Sequence, residues 1–102
     1  MEIKVQWTDN AINQLEQIFD FYNYNANLKV SKKIVSQIID STLLLKNHPY
    51  SGKREPFLEN RKLEYRFIIK GNYKIIYFVE DNIVTISSVF DCRQNPIKLL
   101  NV

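Results

Sequence analysis

Three apolar runs follow one another between residues 63 and 90, and the joints between them are too short to hold a helix. "KLEYRFII" meets "KGN", "YKIIYFVE" meets "EDN", and "IVTISSVF" closes the series. Parallel neighbours need a long crossover, so runs joined by two or three polar residues pair as consecutive antiparallel hairpins. Side chains alternate across a strand. Leu63, Tyr65, Phe67 and Ile69 therefore share one face, and Glu64, Arg66, Ile68 and Lys70 share the other. In the second run Tyr73, Ile75, Tyr77 and Val79 alternate with Lys74, Ile76, Phe78 and Glu80. The third run breaks the alternation. Val84 and Ile86 fall on one face and Val89 on the other, which a bulge at Ser87-Ser88 would reconcile.

Upstream, the apolar period changes. "IKVQW" alternates Ile3, Val5 and Trp7 against Lys4 and Gln6, which predicts a short strand. Thr8 can then cap a helix with Asp9 in its first turn. Ala11, Leu15, Ile18, Tyr22 and Ala26, joined by Ile12 and Phe19, recur at helical spacing and predict a first helix over about residues 9–25. Ser31 is positioned to cap a second helix, with a stripe of Ile34, Ile38, Ser41 and Leu45 flanked by Val35 and Thr42. His48-Pro49 ends it, because a residue before proline avoids the helical region. "PYSGKREP" reads as a loop. The order is β-α-α-β-β-β. It predicts an α+β fold, with two helices on one face of a mainly antiparallel four-stranded sheet and a short C-terminal tail. The other sheet face is expected to be open, with the tyrosines Tyr65, Tyr73 and Tyr77 on the core side and Arg66, Lys70 and Lys74 on the open side.

A length of 102 residues suits one domain spanning the whole chain. The net charge of +3 allows an acidic partner without requiring one. Two glycines leave no Gly-rich phosphate loop, and one histidine with one cysteine cannot build the usual zinc site, so neither cofactor nor metal is expected. A lone cysteine forms no internal disulfide, and no apolar run approaches membrane-spanning length. A cytoplasmic protein with no membrane partner is the expectation.

The ordered set of local strings resembles the RelE/ParE superfamily of toxins from bacterial type II toxin–antitoxin pairs. It begins with the strand ending in Trp7 and continues with Ala11, Gln14, Leu15, Ile18 and Tyr22. "HPYSGKR" closes the second helix, Tyr65-Arg66 and "YKIIY" follow, and "VTISSV" leads into "DCRQNP". The resemblance implies a small toxin held inactive by a cognate antitoxin. Two activities recur in the superfamily. ParE-like members inhibit DNA gyrase, and RelE-like members cleave mRNA on the ribosome without a metal.

RNA cleavage through the 2′-hydroxyl needs a proton acceptor, a proton donor and cations on the developing phosphorane. Arg66, Lys74 and Arg93 are the cationic candidates, with Asp91 beside them. RelE-like enzymes carry an arginine where the resemblance puts Lys74, and a tyrosine or histidine near the C-terminal end. Here only "QNPIKLLNV" follows Arg93. Asp91 could accept a proton, pair with Arg93 or cap a turn, and the neighbouring cation should depress its pKa. Arg66 reads either as a site residue or as one rung of a solvated ladder with Glu64 and Lys70. Lys53 and Arg54 on the loop would suit an acidic target or a phosphate backbone. The missing terminal acid or base favours the ParE-like reading, in which Arg66, Lys74, Asp91 and Arg93 bind a target; the alternatives are a RelE-like endonuclease and a degenerate member that only binds its antitoxin. Finally, Phe21 and Tyr24 on the first helix, and Ile39 and Leu43 on the second, lie off the core stripes. They are the candidate antitoxin surface.

Overall fold

The computed structural model describes residues 2–101, with side-chain surroundings through Leu99. Its strands and helices are β1 (Lys4–Trp7), α1 (Asp9–Asn25), α2 (Leu28–Leu43), β2 (Lys53–Arg54), β3 (Arg66–Lys70), β4 (Tyr73–Glu80) and β5 (Ile83–Asp91). Short 3-10 turns occupy Leu44–Lys46, Pro56–Leu58 and Pro96–Asn101. The expected hairpins are β3–β4 and β4–β5, and their turn residues explain the joints. Gly71 opens the first turn at φ 59°. Asp81 and Asn82 both adopt positive φ, 54° and 62°, the arrangement that matches the twist of the flanking strands.

The sheet order is β1-β5-β4-β3-β2. β1 runs parallel to β5, with Val5 opposite Val84 and Trp7 opposite Ile86, and the other pairs are antiparallel. The α+β class is as expected, but the sheet has five strands rather than four. The addition is β2, where Lys53 pairs with Phe67 and Arg54 with Arg66 inside the segment expected to be loop. Two residues display no alternation, so the string carries no strand signal there.

The bulge falls where the broken alternation put it. Tyr77 pairs with Ile86 and Ile76 with Ser88, which leaves Ser87 as the extra residue in β5. Val84, Ile86 and Val89 thereby all join Ile75 and Tyr77 in one core with Ala11 and Ile18 of α1, Ile38 of α2 and Leu45. Ile3, Val5, Trp7, Leu15, Tyr22, Ile34, Val35, Ile68 and Val79 pack around it.

The opposite sheet face is not open. Leu58 of the second 3-10 turn and Leu99 of the last one cover Ile76 and Phe90, and Tyr65 and Phe67 pack beside them. Two expectations are corrected here. Phe67 pairs with Ile76, and Ile68 with Ile75, so the face with Tyr65 and Phe67 is turned away from the helices. The C-terminal tail returns to the sheet and buries Leu99. The alternation in β3 was correctly read, but its phase relative to β4 depends on the hairpin register, and both faces of β3 carry apolar residues.

Thr8 caps α1 as expected, accepting the Ala11 N–H at 3.1 Å. α2 starts earlier than expected. Asn27 is its cap, accepting the Val30 N–H at 2.9 Å. Ser31 lies inside the helix, where its hydroxyl donates to the Phe19 carbonyl and joins the two helices. Both residues are competent caps, and the tight turn after α1 selects the first.

The loop before β2 is stapled to the sheet. Gly52 N–H donates to Tyr77 Oη at 2.9 Å, and Gly52 O accepts from Arg66 Nη1 at 2.9 Å. A Cβ on Gly52 would stand 2.5 Å from that hydroxyl and 2.6 Å from Phe67 O. Tyr77 is fully buried and cannot swing away. Gly52→Ala should therefore lower stability by about 1–3 kcal/mol in urea unfolding, through overpacking. A midpoint equal to wild type would show that the loop is not held in this way.

Candidate partner-binding groove

β5 ends at Asp91, opposite Tyr73 of β4 and on the helix-bearing face of the sheet. The chain then turns. Cys92 N–H donates to Asn72 O at 2.8 Å, and Gln94 N–H donates to Asp91 O at 3.0 Å. Arg93 folds back on the strand end. Its backbone N–H and its Nε both donate to Asp91 Oδ1 at 2.9 Å, and Nη2 donates to Oδ2 at 2.8 Å. Asp91 thus pairs with Arg93 and caps the turn at once. The Arg93 hydrogen bonds hold the Asp91 carboxyl below the usual carboxylate range. The guanidinium is stabilised further as a cation by the same pair. A carboxylate committed in this manner is a poor proton acceptor.

The pair borders a cavity of about 370 Å³ between α1, the end of β5 and the last 3-10 turn. Ile18, Val89, Phe90 and Leu99 are among its buried apolar lining, and Phe21 stands half exposed beside them. Gln14 closes one side, its Oε1 accepting the Val89 N–H at 2.7 Å and the Ser88 hydroxyl at 3.1 Å. Tyr73 lines the same cavity, and its hydroxyl donates to Tyr22 Oη at 3.3 Å. Burial, and then that contact, push the Tyr73 phenol well above its ordinary value. It is a neutral hydrogen-bonding group at physiological pH. No tyrosine follows Arg93 in sequence, yet the β4–β5 pairing brings Tyr73 beside it. A cross-strand neighbour of this sort leaves no trace in local spacing.

The expected meeting of Arg66, Lys74 and Arg93 does not occur. Arg66 pairs in register with Tyr77 in the middle of β4, and Asp91 with Tyr73 at its start, so the two arginines are set apart along the strand. That separation is about 13 Å along the strand at roughly 3.3 Å per residue. Arg66 donates to Tyr50 O, Gly52 O and Glu64 Oε1, and its guanidinium lies 5.4 Å from the Tyr50 ring centroid. It holds the loop. Lys74 lies on the opposite sheet face, with Phe67 and Phe90. Its Nζ stands 2.9 Å from Glu55 Oε2 and 4.3 Å from the centre of the Phe67 ring. Glu55 is fully buried, and its other oxygen accepts the Phe57 N–H at 3.2 Å. Glu55 Oε2 has no aligned hydrogen bond among the described residues, so Lys74 compensates it as a charge rather than as a directed donor. Nothing in "GKREP" marks Glu55 as buried, because its burial depends on the following turn folding over the sheet. Lys53 and Arg54 are exposed on β2, and Arg54 Nε approaches Glu64 at 3.6 Å.

The off-stripe apolar residues are exposed: Phe21 54%, Tyr24 90%, Ile39 37% and Leu43 45%. They do not share one lining. Phe21 borders the groove beside Arg93, whereas Tyr24, Ile39 and Leu43 do not.

The Asp91–Arg93 pair makes a pH prediction with a definite sign. The folded-state pKa of Asp91 is depressed, so its contribution to stability is complete above the ordinary carboxylate pKa. It is lost as pH falls through the lower folded value. A carboxyl ¹³C titration should place the Asp91 midpoint below that of an exposed aspartate, and Arg93→Ala should raise it. An ordinary midpoint in wild type would show the pair to be absent in solution.

A family model described as "ParE toxin of type II toxin-antitoxin system, parDE" matches residues 5–96. Among solved structures, one described as the chromosomal ParDE TA system from P. aeruginosa superposes with a TM-score of 0.71 at 18% identity. The match covers 87% of this chain and 95% of that one, and at this identity it speaks for the fold. No curated protein sequence matches the chain. Among the described residues no helix is long and apolar enough to cross a membrane. The family match spans β1 through the turn after Arg93, and the chain belongs to the ParE toxin family of type II toxin–antitoxin systems.

Proposed function

We propose that this protein is a ParE-like cytoplasmic toxin that inhibits DNA gyrase, binding it through the Arg93 groove, and that a cognate antitoxin neutralises it. The observation that carries this reading is the Asp91–Arg93 fork. A nuclease would need its cations gathered on one phosphate and a proton acceptor beside them. Here Arg66 is engaged by the loop, Lys74 by Glu55, and Asp91 by Arg93 itself. What Arg93 offers is a fixed, exposed guanidinium, a group suited to binding. The ParE family match points the same way.

The antitoxin reading rests on the exposed apolar side chains of the helices. Phe21 and Arg93 border one cavity, so an antitoxin segment covering Phe21 also covers Arg93. Neutralisation then follows from occupancy of the target-binding groove. Tyr24, Ile39 and Leu43 extend the contact over the helices.

Two measurements test the proposal. Purified wild-type protein should inhibit gyrase supercoiling and leave message intact on programmed ribosomes. Arg93→Ala should weaken the inhibition roughly ten- to hundredfold, as for a lost charge-assisted hydrogen bond. Message cleavage with gyrase untouched would instead favour the RelE-like alternative, with Tyr73 beside Arg93 as the residue to pursue.

For the antitoxin, Tyr24→Asp and Leu43→Asp should each weaken binding of the protein encoded by the adjacent reading frame. Burial of such a side chain is worth about 1.5–3 kcal/mol before ordering costs. Both side chains are exposed, so the isolated variants should keep the wild-type circular dichroism spectrum. Wild-type affinity in both variants would place the antitoxin elsewhere.

A further inference from the structure

We infer that the β2 edge of the sheet, with the loop that follows it, holds the phosphate backbone of duplex DNA without regard to sequence. The inference goes beyond the gyrase reading and concerns a different surface. In the sheet order β5 and β2 are three strand spacings apart, about 14 Å at roughly 4.8 Å each, so this edge stands apart from the Arg93 groove.

The positive charge of the chain is concentrated there. Residues 53–74 carry seven lysines and arginines against three glutamates, a net of +4, while the rest of the chain carries seven against eight acids, a net of −1. Within that segment Lys74 compensates Glu55, and Arg66 is held by Glu64 and by loop carbonyls. The third acid is Glu59. Against it stand Lys53, Arg54, Arg61 and Lys62, all exposed. Arg54, Arg61 and Lys62 border one cavity of about 210 Å³. Glu64 lies on its rim between two guanidinium groups, 2.6 Å from Arg66 Nη2 and 3.6 Å from Arg54 Nε. Tyr50, also exposed, stands against the Arg66 guanidinium. These contacts join the cations into one connected row along the edge.

Charge on an edge strand commonly guards against pairing with another chain. A strand of two residues needs little such guarding, and Arg61 and Lys62 are not on it. A protein partner would look for an apolar centre from which charge is depleted. This cavity is instead bordered by six charged side chains, three of each sign. The complement of the exposed cations is an anionic polymer. Duplex DNA presents about one charge per 1.7 Å of its axis, twice the density of one strand, and guanidinium forks suit its phosphates. A single strand would need aromatic faces in series. Tyr50 is the one aromatic ring of this row, and Tyr65 is packed against Phe78. The edge is built of strand, loop and 3-10 turn, with no α-helix to enter the major groove, so its contact is with the backbone.

The test follows the anisotropy of a labelled twenty-base-pair duplex titrated with full-length protein at 50 mM and at 200 mM salt. Four phosphate contacts, at a slope of about −0.9 each, predict about a hundredfold loss of affinity between the two conditions. Lys53→Gln combined with Lys62→Gln should reduce that loss to about tenfold, and should weaken binding to two duplexes of unrelated sequence equally. Lys32→Gln combined with Lys33→Gln removes the same charge from exposed positions on α2 and should behave as wild type. All four side chains are exposed, so both double variants should keep the wild-type circular dichroism spectrum. If Lys53→Gln disturbs β2, Lys62→Gln alone should still lower the salt slope by about one. A twenty-residue polyglutamate and a twenty-nucleotide thymidine oligomer serve as competitors, and each should displace the labelled duplex about tenfold less well than unlabelled duplex does. Absence of binding at 50 mM salt, equal losses in the two double variants, a strong preference between the two duplexes, or a competitor that matches the duplex would each overturn the inference. Gyrase plays no part in the titration, so loss of the gyrase assignment and loss of the DNA assignment are separate outcomes.

Discussion

The extra residue at Ser87 decides which side of the sheet the end of β5 serves. With it, Val84, Ile86, Val89 and Asp91 all fall on the helix-bearing face. Without it, the period of two would carry Asp91 to the opposite face, the one that holds Lys74. The bulge therefore does two things. It lets one strand supply a continuous core to two helices, and it delivers the Asp91–Arg93 pair to the groove along α1. It also separates Arg93 from Lys74, although Lys74 lies near the start of β4 and Arg93 in the turn just after the neighbouring strand β5.

Two of the candidate cations serve the interior of the fold. Lys74 compensates a carboxylate buried beneath the second 3-10 turn, and removing it would strand that charge in an apolar setting. Arg66 satisfies carbonyls of the loop that Tyr77 also grips. Both cations are adjacent to apolar packing, and both serve the fold. Arg93 differs because its partner lies two residues away at the surface, so the pair can form without burying either charge deeply. A pair of that kind contributes little to stability, but it holds a guanidinium in one orientation, which suits recognition.

The two faces of the sheet are closed by different means. Helices cover one with a continuous apolar core, and short turns from distant parts of the chain cover the other with Leu58 and Leu99. Six of the exposed large apolar side chains lie on the helices, at Ile12, Phe21, Tyr24, Leu28, Ile39 and Leu43, and the others on turns, loops and, at Ile69, on β3. A chain that covers both sheet faces and still leaves these helical side chains in water has surface for a partner on the helical side.

Local pattern determined a large part of this structure. The cap at Thr8, the span of α1, the two hairpins and the bulge all follow from residue types at short separation, where propensity and period act directly. The pairing of Asp91 with Arg93 was legible for the same reason, being two residues apart in the chain. Whatever depended on distant segments was decided only by the tertiary structure. The phase of β3 against β4, the two-residue β2, the burial of Glu55 beneath Lys74 and the return of Leu99 belong to this group. So does the placing of Phe21 and Tyr73 beside Arg93. The alternation of a strand states that it has two faces. Which face meets the helices depends on register and on what else folds over the sheet, and that information is spread across the whole chain.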